Sequence, residues 1–90
     1  MIRITFHDSH SYPGCLVSAT GLGAGGTTER VTAHFEDGSQ AEAECEFLSP
    51  GEFVIHIDPY VTSKGTSIQA KSWVVDRLAN ANGWKVARRL

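Results

Sequence analysis

The sequence predicts an α+β fold: a single antiparallel sheet of four to five strands, one C-terminal helix over about residues 66–82 packed on its apolar face, and a final short strand or docked tail. Three observations lead to this prediction. Apolar and polar residues alternate in four stretches up to residue 58, as in half-buried strands. Apolar residues then recur at helical spacing. Finally, 90 residues, 41% hydrophobic and 20% charged, suit one folded domain spanning residues 1–90.

The first strand is predicted at the N-terminus, where Ile2, Ile4 and Phe6 alternate with polar residues. Residues 8–14 follow with turn-forming side chains. The short apolar stretch 15–19 is interpreted as a second strand, so both segments are expected to contribute to one sheet.

The most definite local signal is a hairpin over residues 29–47. Apolar residues alternate with polar ones in 31–35 and again in 41–47. Asp37-Gly38 lies between these stretches, and this dipeptide is a strong turn signal when alternating residues flank it. Two antiparallel strands joined at this turn are therefore expected.

Two registers of this hairpin agree with the alternation. A three-residue loop with Gly38 in the left-handed conformation pairs Ala33 with Ala41. A shift of two in the pairing instead sets His34 opposite Glu42. Both registers keep the same side chains on the same faces, so the sequence leaves both open.

A further strand is predicted over residues 53–58, where Phe53, Ile55 and Ile57 alternate with other residues and Pro59 ends the pattern.

The helix is predicted to begin at Thr66, because Thr66 and Gln69 have the spacing of a capping box. Gly83 stands where a left-handed C-terminal cap is expected. Five apolar residues form a stripe at helical spacing between these ends: Ile68, Val74, Val75, Leu78 and Ala81.

Charge is divided unevenly along the chain, although the formal net charge is only −2. Residues 1–60 hold nine acidic and two basic side chains, for a balance of −7. Residues 61–90 hold six basic and one acidic side chain, for a balance of +5. Such asymmetry indicates a binding function. The sequence pI near 6.0 does not favour general coating of nucleic acid, which usually needs a basic domain.

The acidic part of this division concentrates on one side of the hairpin. The candidate partner-binding residues there are Glu36, Glu42, Glu44 and Glu46. An acidic surface of this kind suits docking on a basic partner. Solubility and protection of an edge strand from aggregation would account for the same pattern without a partner. The leading functional prediction is a small non-enzymatic interaction or regulatory module, with an inhibitor-like profile, that docks on a protein partner through charged surfaces.

The basic part suggests an alternative partner, a nucleic acid, a nucleotide or another phosphorylated small molecule. The start of the predicted helix would offer free backbone N–H groups and its positive dipole end to an anion. The candidate anion-binding residues are Lys64, Thr66, Ser67 and Lys71. The candidate basic tail, beside Trp84, consists of Lys85, Arg88 and Arg89.

A third alternative is a small zinc-binding protein or thiol-dependent enzyme that uses Cys15, His7 and His10. Their H-x2-H-x4-C run, with Cys45 as a fourth ligand, supplies the ligand types of zinc sites without the usual paired spacing. A catalytic cysteine would need an accessible, low-pKa thiol near a histidine. The leading interpretation therefore contains no cofactor, no bound metal and no catalytic residue.

The expected location is the cytoplasm, because the N-terminus lacks the apolar core of a signal peptide. No apolar run approaches the roughly 20 residues needed to cross a bilayer, so no membrane partner is expected. Both a monomer and a homodimer remain compatible with the sequence.

Overall fold

The computed structural model of the chain describes residues 2–7, 14–19, 25–49, 52–79 and 84–89. Within these ranges the backbone forms nine strands and no helix. The strands are β1 (Ile2–His7), β2 (Cys15–Val17), β3 (Thr28–Phe35), β4 (Gln40–Ser49), β5 (Glu52–Ile57), β6 (Tyr60–Val61), β7 (Ser67–Ile68), β8 (Lys71–Ala79) and β9 (Trp84–Arg89).

Seven of these strands close into a barrel in the order β1-β2-β3-β4-β5-β8-β9. The neighbours are antiparallel, except that β1 and β9 pair in parallel and thereby close the barrel. β6 and β7 form a separate two-stranded hairpin between β5 and β8. Among the described residues, every barrel strand has a paired neighbour on both sides, although β3 meets β2 only over residues 33–35.

The hairpin of β3 and β4 adopts the first of the two registers that the sequence allows. Ala33 pairs with Ala41, and Val31 pairs with Ala43. Gly38 in the connecting turn has a φ of 90°, in the left-handed region. Ser39 donates its backbone N–H to Asp37 Oδ1 at 2.9 Å, which supports the turn.

Exchange of Gly38 for alanine is expected to lower the free energy of unfolding by about 1–2 kcal/mol, because a Cβ is disfavoured at positive φ. No heavy atom lies within 4 Å of the position that the Cβ would occupy, so the cost arises from the backbone alone. Gly38→Asn should cost less, since asparagine tolerates this conformation better. Urea denaturation measures both variants. Equal costs for alanine and asparagine would contradict this explanation.

Alternating side chains of the barrel strands fill its interior. Among the described residues, the largest fully buried side chains are Trp73, Phe47, Phe53, Ile4, Ile55, Ile57, Val17, Val75 and Cys45. Side chains can fill the interior of a barrel of about this strand number completely. The apolar alternation predicted for β1, β3, β4 and β5 is therefore the inner face of the barrel.

The hairpin of β6 and β7 is attached to the barrel by Tyr60. Its ring stacks on Phe35 with a centroid distance of 4.7 Å and an interplanar angle of 7°. Ser63 Oγ in the connecting turn donates to Asp37 Oδ2 at 3.3 Å. Tyr60 is buried with the core, whereas Val61 beside it is 59% exposed.

The predicted helix over residues 66–82 is wrong, and with it the α+β class. Residues 71–79 form β8, which pairs with both β5 and β9, while residues 80–82 lie outside the described residues. Trp73 and Val75 point into the barrel, and Val74 between them lies on its outer face. β-Branched and aromatic residues favour strands. Pairing on both sides of β8 therefore outweighs the helical spacing of the apolar residues.

The predicted helix start is a hairpin turn. Thr62 N donates to Thr66 O at 2.9 Å, and Gly65 N donates to Thr62 O at 2.9 Å. Thr66 N donates to the hydroxyl oxygen of Thr62 at 3.1 Å, so this hydroxyl supports a turn rather than a helix cap. Gly65 has a φ of 83°, which allows the chain to reverse. The spacing of Thr66 and Gln69 fitted a capping box only by coincidence.

Candidate functional site

Three glutamates project side by side from the outer face of β4, and we call Glu42, Glu44 and Glu46 the acidic row. Their positions follow from alternation, because the intervening Ala43 and Cys45 are buried inside the barrel. Glu42 and Glu46 are exposed and Glu44 is half-buried. The outward orientation of these three predicted residues is therefore a direct result of the strand period.

The β3 side chains opposite the acidic row neutralise little of its charge. Thr32 lies opposite Glu42 and donates its hydroxyl to Glu42 Oε1 at 3.2 Å. Arg30 lies opposite Glu44, but its guanidinium binds Asp58 Oδ2 at 2.9 Å. The hydrogen bond to Asp58, followed by the charges of Asp58, Glu42 and Glu44, raises the pKa of Arg30.

Counted together, the acidic row, Asp58 and Arg30 contain four carboxylates and one guanidinium, a net charge of −3. Both partners of the Arg30–Asp58 pair are about half exposed, with side-chain exposures of 55% and 48%. A pair this exposed adds little stability, so its main effect is on the local charge.

Edge protection does not account for the acidic row. β4 pairs with β3 on one side and with β5 on the other. Charged side chains protect strands that have an unpaired side. Two explanations of the acidic row therefore remain, which are solubility and a binding function.

Glu36, the fourth predicted acidic residue, does not belong to the row. It lies in the turn after β3, where its carboxylate packs beside Gly14. It lines a cavity of about 90 Å³ together with Arg3, Cys15 and Leu16. Ligand pockets usually measure about 300–1,000 Å³, so this cavity is small for an organic ligand.

A histidine and a serine that the sequence did not identify extend the polar surface beyond Glu44. Glu44 pairs with His56 on β5, and His56 pairs with Ser72 on β8. His56 Nδ1 and Ser72 Oγ are 2.7 Å apart, and both side chains are half-buried. Alternation in the sequence placed His56 on the polar side of its strand. Its contact with Ser72 could not be predicted, because Ser72 was assigned to a helix.

The predicted anion-binding residues have no helix N-terminus to support them. Lys64 lies in the turn of the β6–β7 hairpin, Thr66 follows that turn, and Ser67 begins β7. Lys71 is the first residue of β8. The helix dipole and the free helical N–H groups on which this prediction depended are absent from this segment, because the described residues 62–79 contain no helix.

The predicted basic tail belongs to strand β9. Arg88 makes a bidentate ion pair with Asp76 on β8, with Nε–Oδ2 and Nη2–Oδ1 distances of 2.9 and 3.0 Å. Lys85 and Arg89 belong to the same strand, but their side chains lie outside the described residues.

The acidic row and the basic strand lie on opposite sides of the barrel. β9 is three strands from β4 in one direction and four in the other. β3 is likewise three strands from β9 by the shorter path. β9 therefore lies away from the acidic row, and Arg88, its described arginine side chain, is neutralised by Asp76 rather than by the row.

The two cysteines are buried free thiols on β2 and β4. Burial, followed by nearby negative charges, raises the pKa of Cys15 and Cys45 to about 12. Such thiols are poor nucleophiles at neutral pH.

The side chain of His7 and the whole of His10 lie outside the described residues. Within the described part of the chain, no three histidine, cysteine or acidic side chains gather in a way that could bind a metal ion.

Comparisons of the chain with models of protein families, with curated proteins and with solved structures find no match in any of the three. Within the described ranges, the chain contains no helix with the length and apolar character required to span a membrane.

Proposed function

We propose that this protein is a small non-enzymatic interaction module that docks on a basic surface of a protein partner through the acidic row. The observation that carries this proposal is the position of Glu42, Glu44 and Glu46 on a strand paired on both sides. At this position their charge has no role in protecting an edge.

The electrostatics of the face support a basic partner. The nearest described guanidinium, Arg30, is paired with Asp58, and the acidic row, Asp58 and Arg30 together keep a net charge of −3. A surface of one sign raises the association rate with a partner of opposite sign. Nucleic acid would be repelled from the same face, since its backbone is also anionic.

The strand arrangement supports binding through one face rather than neutralisation within the molecule. Arg88 pairs with Asp76 on the neighbouring strand β8, so its charge is compensated locally rather than by the acidic row. The proposed compartment is the cytoplasm, in agreement with two unpaired buried thiols, since disulfides are rare in that reducing environment.

Neutralising the ends of the acidic row should weaken binding to a basic probe. We expect the double variant Glu42→Gln/Glu46→Gln to bind a fluorescent oligolysine about fivefold more weakly at low ionic strength, because two carboxylates in contact with the probe are lost. Fluorescence anisotropy at about 50 mM salt measures this difference, since screening is weak there.

The matched control is Glu36→Gln/Asp37→Asn, which removes the same number of charges from the β3–β4 turn, outside the acidic row. Its affinity for oligolysine should stay within about twofold of the wild-type affinity, because neither carboxylate contacts the bound probe. Equal weakening by both double variants would mean that only total charge matters, and the proposed docking face would then be rejected.

A further inference from the structure

An exposed leucine adjoins the acidic row on the same strand. Leu48 is 48% exposed and follows Glu46 by two residues on the outer face of β4. The β4–β5 register shifts between Phe47 and Ser49, which places Leu48 within a β-bulge. Bulges alter the direction of side chains and are frequent beside functional sites. Here the bulge leaves a large apolar side chain in solvent next to a carboxylate.

Two valines continue this apolar surface across the neighbouring strands. Val54 on β5 pairs with Glu46 on one side and with Val74 on β8 on the other. Both valines face outward, because the residues that flank them along their strands are buried in the interior. Val54 is only 7% exposed although it is not part of the interior core cluster, so neighbouring outer side chains cover it. Val74 is half-buried.

Charged side chains border this apolar strip, which we define as Leu48, Val54 and Val74. Glu46 is its neighbour on the β4 side. Arg88 lies opposite Val74 on the β9 side, where its bidentate pair with Asp76 makes the border locally neutral. Among the described side chains, the strip therefore has an uncompensated negative charge at its β4 border.

We propose that the acidic row and Leu48 together bind a cationic segment of a protein partner that also carries apolar side chains. The basic groups of this segment would lie on the acidic row and an apolar group on Leu48. The inference rests on the proposed function and specifies the chemistry of the partner. Charge complementarity selects the basic groups. Burial of the exposed part of Leu48 selects the apolar ones.

Two fluorescent peptides of equal length and equal lysine content test this inference. One alternates lysine with leucine, and the other alternates lysine with serine. We expect the wild-type protein to bind the leucine peptide about fivefold more tightly, because half of a leucine side chain becomes buried. Leu48→Ser should abolish this preference while leaving affinity for the serine peptide unchanged. Val61→Ser, which changes another exposed apolar residue, should retain the preference.

The outcomes separate the two proposals. If both peptides bind equally to the wild-type protein, or if Leu48→Ser retains the preference, the apolar contact is refuted while the acidic docking face stands. If neither peptide binds, both proposals fail. If Val61→Ser abolishes the preference as Leu48→Ser does, the leucine peptide binds exposed apolar side chains nonspecifically, and the inference is refuted.

Discussion

Replacing Trp73 with alanine is expected to lower the free energy of unfolding by about 3–5 kcal/mol, the usual cost of removing a large buried aromatic side chain. Trp73 is completely buried, and its ring packs against Phe6 with a centroid distance of 4.6 Å. Because a domain of this size has only about 5–15 kcal/mol of total stability, the loss is a large fraction of it.

This expectation also distinguishes the barrel from the helix that the sequence predicted. In a helix over residues 66–82, the apolar stripe contains Val74 and Val75 but does not include Trp73. In the barrel, β8 directs Trp73 and Val75 inward, while Val74 remains on the outer face. A large loss in the free energy of unfolding for Trp73→Ala and a small loss for Val74→Thr are therefore expected for the strand and not for the helix.

Urea denaturation followed by far-UV circular dichroism measures the effect without depending on tryptophan fluorescence. Val61→Ala is the control, because Val61 is 59% exposed and should change the free energy of unfolding by less than about 0.5 kcal/mol. If the alanine variant yields no folded protein, Trp73→Phe provides a milder change whose cost should still exceed that of Val61→Ala. A Trp73→Ala cost as small as the control would contradict the packing described above.

The second large effect is expected at alkaline pH, where the two buried thiols should make the protein less stable. Burial raises the pKa of Cys15 and Cys45 from 9.0 to about 12. Above pH 9 the unfolded chain releases thiol protons that the folded chain retains, so the free energy of unfolding falls as pH rises from about 9 to about 12. Near pH 10 the two thiols together should account for a loss of about 2–3 kcal/mol.

The measurement is urea denaturation across the alkaline range for the wild-type protein and for Cys15→Ala/Cys45→Ala. The double variant should be less stable at neutral pH, but its stability should fall less steeply above pH 9, because tyrosines and lysines contribute equally to both proteins. Alkylation by iodoacetamide gives an independent measure of the same burial. Rapid alkylation of the folded wild-type protein near neutral pH, or parallel pH profiles for the two proteins, would show that the thiols are accessible.

Side-chain alternation predicted which side of the hairpin the three glutamates of the acidic row occupy. Glu42, Glu44 and Glu46 lie outside the barrel because each adjoins a small buried residue on β4. Their neighbours on β3 follow from the turn at Gly38. Glu36 was grouped with them by parity alone, but its position in the turn moves it beside Gly14. Alternation predicts which face of a strand a side chain occupies, but it does not predict how close that side chain lies to others on the same face.

Two of the contacts that the sequence did not predict depend on β8. Ile68, Val74 and Leu78 satisfied a helical spacing, which outweighed the strand preference of Trp73 and the two valines in the prediction. β8 instead supplies Ser72 to His56 and Asp76 to Arg88. Each of these pairs joins different strands, so it depends on a strand pairing that local spacing does not reveal.

By itself the sequence determined the inner and outer faces of β1, β3, β4 and β5 and the turn between β3 and β4, because alternation and turn residues act over a few positions. Only the tertiary structure decided that the chain closes into a barrel, through the parallel pairing of β1 with β9 at opposite ends of the chain. Closure also decided that β9 lies three strands away from the acidic row on β4. Strand order depends on the free energy of the whole closed sheet, in which β8 pairs on both sides and buries Trp73, and this gain outweighs the helical pattern of its sequence.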